Sequence, residues 1–234
     1  MPRSRSHTRS RPRSDLASLF RPWGGARRGA GRKPGGPRRR VPHARRPEHE
    51  TRNPVHVTVR IREGLPSLRR PLERAVIERA FAAGCERFGF RLVHYSIQSN
   101  HLHLLAEARD ARALTRGMQG LLVRVAKALN RAWRRKGRVV ADRFHARAMT
   151  SPREVRSALL YVLHNARRHG LRYSGVDAYS SGPWFDGWVE ERTQPARAPP
   201  TAGAARTWLL RMGWRRRGRI GIGEAPQRGR AHHS

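Results

Sequence analysis

The chain has 234 residues, with 51 Lys+Arg against 16 Asp+Glu, and a formal charge of +35 at pH 7. One cysteine, Cys85, excludes a disulfide scaffold, and no apolar run approaches the ~20 residues of a spanning helix. The first residues lack the apolar stretch of a secretory signal, so the cytoplasm is the expected compartment. A field this positive favours a polyanion, nucleic acid first and an anionic membrane surface second. Only Lys33, Lys127 and Lys136 are lysines, and an arginine bias of this kind also follows from a GC-rich genome.

Residues 1–53 read as a disordered basic arm rich in Arg, Gly and Pro, with few apolar residues to bury. Within it, Arg27, Arg28, Arg32 and Lys33 sit in a Gly-rich stretch. Such a segment can lie along a duplex and reach phosphates, or it can be a solvated tail.

Residues 54–188 read as one folded domain. Val55-His56-Val57-Thr58-Val59-Arg60-Ile61 alternates with period two, which predicts a strand. Ser67 to Phe88 reads as a helix with Leu68, Leu72, Val76, Ile77, Phe81 and Ala82 on one face and Gly84 near its end. Phe90–Gln98 and His101–Ala106 read as strands joined by the short turn Gln98-Ser99-Asn100. Asp110 to Trp133 reads as a helix with Leu114, Met118, Leu121, Leu122, Val125 and Leu129 as its buried stripe. Residues 139–149 are extended, with Phe144 as the anchor. Ser151-Pro152-Arg153-Glu154 combines an N-cap, proline at the first helical position and an acid in the first turn. It starts a helix running to about His169 and closed by Gly170. This order is α+β, and a ferredoxin-like antiparallel sheet with helices on one face is its simplest match. Residues 189–234 read as a basic linker carrying a short amphipathic helix within 207–218, separated from the domain by Pro199, Pro200 and Gly203.

Two motifs carry chemistry. In His101-Leu102-His103-Leu104-Leu105, residues i and i+2 of a strand share a face, so both imidazoles project together and can share a divalent metal. The alternative is an amphipathic strand whose polar face happens to be histidine. On the last helix, Tyr161, His164, Asn165 and Arg168 fall at i, i+3, i+4 and i+7, one face, with Val155, Leu159, Val162 and Leu163 on the apolar side. A tyrosine phenol can attack a phosphate that a metal polarises; equally, Tyr161 can be a half-buried helix aromatic. His56 lies near the His pair if the first strand neighbours theirs. His145 lies in a segment expected to approach it. Arg124, Lys127, Arg131 and Arg134 suit phosphate contacts, or a solvated helix face. Trp184, Phe185 and Trp188 read as core closure, with base stacking as the alternative.

Taken together, the HLHLL pentamer after Gln98-Ser99-Asn100, the strand Val55–Arg60 and the Tyr-x-x-x-Asn helix resemble the single-tyrosine HUH transposases. The resemblance is nearer to the REP-associated tyrosine transposases, spans roughly residues 54–188, and extends to Asp142–Arg147 and the Trp184 region. It implies that His101 and His103 hold Mg²⁺ or Mn²⁺, with Asn165 as a third, neutral oxygen ligand. It implies that Tyr161 attacks single-stranded or hairpin DNA to give a 5′-phosphotyrosine and a free 3′-hydroxyl, in transposition or REP-element processing. Where relatives often carry Asn-Pro, this chain has Asn165-Ala166. The implied partner is DNA, not a membrane, for a monomer or homodimer in a bacterial, nucleoid-associated setting. A non-catalytic nucleic-acid-binding protein on the same scaffold, and a metal-dependent hydrolase without a covalent intermediate, are the alternatives.

Overall fold

The structure is a computed structural model, described here for residues 49–168, 175–191 and 201–225. His169 and Gly170, the basic arm with Arg27, Arg28, Arg32 and Lys33, and the last residues of the chain lie outside the described residues.

A five-stranded sheet is built from β1 (Val55–Arg60), β2 (Glu86–Arg87), β3 (Phe90–Ile97), β4 (His101–Ala108) and β5 (His145–Ala148). The order is β2-β3-β4-β1-β5 and every neighbouring pair is antiparallel. Helix α1 (Pro71–Ala82) connects β1 to β2, α2 (Ala111–Ala132) connects β4 to β5, and α3 (Pro152–Arg168) follows β5. Strands β3-β4-β1-β5 with crossovers α1 and α2 are the ferredoxin-like arrangement.

The period-two pattern sorts side chains onto two faces. Val55, Val57, Val59, Leu102, Leu104 and Ala106 form one core with Ile77 and Phe81 of α1 and Leu114, Met118, Leu121, Val125 and Leu129 of α2. Each fully buried leucine there contributes roughly 2 kcal/mol of transfer free energy. The partners α1 and α2 thus share one face. On the other face, Val93 and Leu105 pack with Val155, Leu159, Val162 and Leu163 of α3. A bulge supports this side: Leu92 faces Ala106 while His94 faces Leu105, leaving Val93 as the extra residue. Helix α2 begins where expected, because Asp110 accepts a hydrogen bond from the Ala113 amide at 2.6 Å. Helix α3 begins at Pro152. The Glu154 amide donates to Ser151 Oγ at 3.3 Å, and the Glu154 carboxylate accepts from the Thr150 amide at 2.8 Å.

Two expectations are corrected. The first helix is shorter than 67–88. Pro71 sets its first turn, and its buried positions are Glu73, Ile77, Ala80 and Phe81, so Leu72 is 54% exposed. Buried Glu73 accepts the Trp133 indole N–H at 2.9 Å. Residues 86–91 then form a hairpin whose two turn residues, Phe88 (φ 56°) and Gly89 (φ 76°), are both left-handed. The C-terminal segment is not a detached element. Its helix α4 is only Trp208–Arg211, capped by Thr207, and a 3-10 turn follows at Gly213–Arg217. Leu209, Leu210, Trp214 and Ile220 join the core beneath α3. Arg156 on α3 ties the segment down, with a bidentate pair to Glu224 at 2.7 and 2.9 Å and bonds to the Gly218 and Arg219 carbonyls. Phe185 and Trp188 are buried in the same core, and the Trp188 indole donates to the Gly182 carbonyl. No helix among the described residues is long and apolar enough to cross a membrane.

Candidate active site

The antiparallel register builds the site. Thr58 on β1 lies opposite His103 on β4 and opposite His145 on β5, and Arg60 lies opposite His101. Directly opposed residues share a face, so His56, Thr58, His101, His103 and His145 all stand on the face that α3 covers in part. His103 is buried, His101 half-buried and His145 exposed.

Tyr161 of α3 descends onto this row. Its hydroxyl lies 3.4 Å from His103 Nε2, and the Tyr161 and His103 rings meet edge-on at 5.0 Å. The His101 ring stands perpendicular to that of His103 at 4.7 Å. The far nitrogen of His103, Nδ1, lies 3.2 Å from both His56 Nε2 and Thr58 Oγ1. His101 Nδ1 is 2.8 Å from Asn100 Oδ1. Each imidazole of the pair therefore has one nitrogen engaged by a neighbouring polar group, the arrangement that orients a histidine ring and selects its tautomer. Burial, and after it the charges of His145 and Arg147, lower the pKa of His56 to about 4, so its ring is neutral at pH 7.

Asn165, one turn beyond Tyr161, is fully buried, and neither its Oδ1 nor its Nδ2 has a hydrogen-bond partner among the described residues. A buried amide in that condition costs about 1–3 kcal/mol unless a ligand completes it. Its neighbour His164 turns instead onto Trp188, edge-on at 5.3 Å, and burial lowers its pKa. The described residues bring no three His, Cys, Asp or Glu side chains together as a metal-holding group. Any cation at this site would take its third protein donor from an amide or hydroxyl oxygen.

The structure unites His101, His103 and Tyr161, and places Asn165 on the same helix face as Tyr161. It does not unite them with Arg124, Lys127 and Arg131, which belong to α2 on the opposite side of the sheet, or with Arg134, two residues past the end of that helix. Lys127, Arg131 and Arg134 are exposed there, while Arg124 bonds the Gly120 carbonyl at 2.9 Å. Thr58 is the site residue that sequence reasoning missed. Its only signal was its place between His56 and Arg60 on the polar face of β1, and strand order alone decides what that face meets.

No family model matches the chain, and no curated protein matches it. Among solved structures, the fold is similar to that of a REP-associated tyrosine transposase bound to a REP hairpin. The TM-score is 0.51 and the identity 15%, over 67% of this chain and 98% of that one, a likeness of fold.

Proposed function

We propose that this protein is a DNA strand transferase in which Tyr161 cleaves single-stranded or hairpin DNA and retains one end covalently. The observation that carries the reading is the approach of the Tyr161 hydroxyl to His103 Nε2 beside His101. A nucleophile and two lone-pair donors then meet on one face of the sheet. The fold similarity to a transposase bound to a DNA hairpin and the charge of +35 both support DNA as the substrate.

The residues fit a divalent cation. Two imidazoles share one strand face, and the buried Asn165 carbonyl has no hydrogen-bond partner among the described residues. His101, His103 and Asn165 would hold Mg²⁺ or Mn²⁺, which when bound polarises the scissile phosphate. A proton on His103 Nδ1 has acceptors in Thr58 Oγ1 and His56 Nε2, which leaves the Nε2 lone pair, on the side of the Tyr161 hydroxyl, for the cation. The Tyr161 phenolic oxygen attacks phosphorus and the bond from phosphorus to the 3′ oxygen breaks. The phenol gives up its proton and the departing 3′ oxygen takes one, so none is consumed. The phosphodiester's energy stays in the tyrosine–phosphate bond, and rejoining to another 3′-hydroxyl needs no ATP.

The experiment is covalent capture. The full chain is incubated with labelled hairpin DNA and Mn²⁺ and resolved on a denaturing gel. We expect an adduct that disappears in Tyr161→Phe and in His103→Ala. DNA binding without any adduct would replace this reading with the non-catalytic binder, and turnover that survives Tyr161→Phe would replace it with the hydrolase.

A further inference from the structure

The hairpin β2–β3 carries an anomaly the candidate site does not absorb. Phe88 is 59% exposed, yet it sits at φ 56°. A bulky side chain in the left-handed region costs about 1–2 kcal/mol. The turn needs two left-handed residues, and asparagine before Gly89 would meet that need without the strain. The ring is therefore held out in water at a cost the fold does not require. Arg116 lies over it, 5.2 Å from the ring centroid, with Arg87 beside it in sequence. The Arg109 amide donates to the Gly89 carbonyl of the same turn.

A second exposed aromatic belongs to the neighbouring C-terminal segment. Trp208 is 50% exposed at the start of α4, with Arg216 over its ring at 4.9 Å. The ring is seated against Gly213, where a Cβ would lie 2.7 Å from ring carbon Cζ3, so it is rigidly presented. The two features adjoin. A cavity of about 390 Å³ is lined by Arg87, Phe88, Arg109, Arg206 and Thr207, the last being the N-cap of α4. Its acids are already neutralised. Glu86 pairs with Arg91 and Arg206, and buried Glu107 pairs with Arg91 while accepting the Arg206 and Thr207 amides. Glu86 and its partner Arg206 stay exposed but paired, Arg109 shares its charge with Asp110, and the other exposed side chains there are Thr51, Arg87 and Phe88.

We infer that this sheet edge is a binding surface for the unpaired bases of single-stranded DNA. Phe88 and Trp208 act as stacking platforms, and Arg87, Arg109, Arg116 and Arg216 contact phosphates or stack as guanidinium planes. Rings beside guanidinium groups at a cationic groove suit bases of any sequence. The opposite charge of a DNA strand matches the surface, which an apolar protein partner would not. The surface is not the reacting centre: Ala108 of β4 lies five residues beyond His103, roughly 17 Å along the strand. It rests on DNA being the substrate and extends the contact beyond the cleaved phosphate.

The test measures binding of the full chain to fluorescein-labelled oligothymidine by anisotropy in EDTA, where no cleavage occurs. Phe88→Asn keeps the turn conformation and Trp208→Gln keeps a helix former, so both proteins fold. Each is expected to weaken oligothymidine binding about 5- to 100-fold at every salt concentration, with the slope of log K against log salt unchanged. Binding to a blunt duplex should be unaffected. Arg116→Gln should instead reduce the slope by about 0.7. Oligothymidine affinities equal to wild type for both ring variants would overturn the surface. So would tighter binding of oligouridine, or a dimer that Trp208→Gln dissociates without change in DNA affinity. A wild type that shows this binding and forms no adduct upholds the surface and overturns strand transfer. An adduct-forming wild type whose ring variants bind normally overturns the surface alone.

Discussion

Acid should unfold this protein through its histidines before its carboxylates. His56 and His94 both have pKa values lowered to about 4, for each chiefly by burial. His94 Nδ1 lies 3.2 Å from Ser181 Oγ and its ring meets Phe185 edge-on, while Asp186 offsets part of the burial effect. A histidine whose folded pKa is below its unfolded value binds fewer protons when folded. Its stabilisation is therefore whole above about pH 6.5 and is lost as pH falls toward 4. Integrating that linkage from pH 7 to 4.5 gives about 2.4 kcal/mol for each ring, or about 5 kcal/mol for the pair. His164 adds in the same direction. The pKa values of Glu86, Glu154 and Glu224 are lowered, so these groups withdraw their stabilisation only below about pH 4.5. The window between 6.5 and 4.5 thus reports the imidazoles. Urea unfolding followed by tryptophan fluorescence measures the loss, with His94→Gln as the perturbation, since glutamine can still bond Ser181 but does not titrate. We expect the variant to lose about 2 kcal/mol less than wild type between pH 7 and 4.5. An identical loss in the two proteins would refute burial as the cause.

Gly117→Ala improves helix propensity by about 1 kcal/mol, yet its Cβ would lie 2.2 Å from the Phe90 Cβ. Because α2 must then lift from the sheet, calorimetry should show a net loss of about 1–3 kcal/mol, and a raised Tm would refute the close approach. Thr58→Val and His56→Ala leave Tyr161, His101 and His103 in place but remove the groups at His103 Nδ1. Adduct formation at saturating DNA should fall by about 10- to 100-fold, and unchanged rates would show that the tautomer is set elsewhere. Asn165→Leu removes an unsatisfied buried amide, so the metal-free protein should gain about 1–3 kcal/mol in urea while metal-dependent adduct formation falls sharply; a destabilised variant would mean the amide is already bonded.

What the sequence made legible was everything with a strong period or a cap. Strand β1 alternates cleanly, α2 carries an unbroken stripe from Leu114 to Leu129, and Ser151–Glu154 marks the start of α3 within a residue. The pairing of His101 with His103 followed from strand geometry alone. Tertiary choices were not legible. Leu72 fits the apolar stripe of a longer helix, but Pro71 starts the helix late and Glu73 takes the inward position because Trp133 can bond it. The Phe88–Gly89 turn lacks the Asn-Gly signature, so the hairpin hid inside a helical pattern. The C-terminal segment reads as detached because its anchors, Arg156 with Glu224 and Glu107 with the Thr207 amide, join residues far apart in sequence.

The chain's charge and its candidate chemistry pull against each other. His101, His103 and Asn165 are neutral donors, and the described residues gather no carboxylate with them into a metal-holding group. The protein as a whole carries +35, a field that repels a divalent cation at the site. Under the proposed function, a DNA phosphate entering beside Tyr161 would supply the missing negative charge. Cation and DNA should therefore bind cooperatively, and by thermodynamic reciprocity each should tighten the other by the same factor. Tyr161→Phe, which cannot form the adduct, isolates this coupling. Mn²⁺ affinity measured by electron paramagnetic resonance should be at least about tenfold tighter with hairpin DNA than without it, a coupling of about 1.4 kcal/mol or more. DNA affinity should rise by the same factor when Mn²⁺ is added. Equal Mn²⁺ affinities in the two states would mean that an anionic protein group already balances the ion, and the neutral donor set would then be wrong.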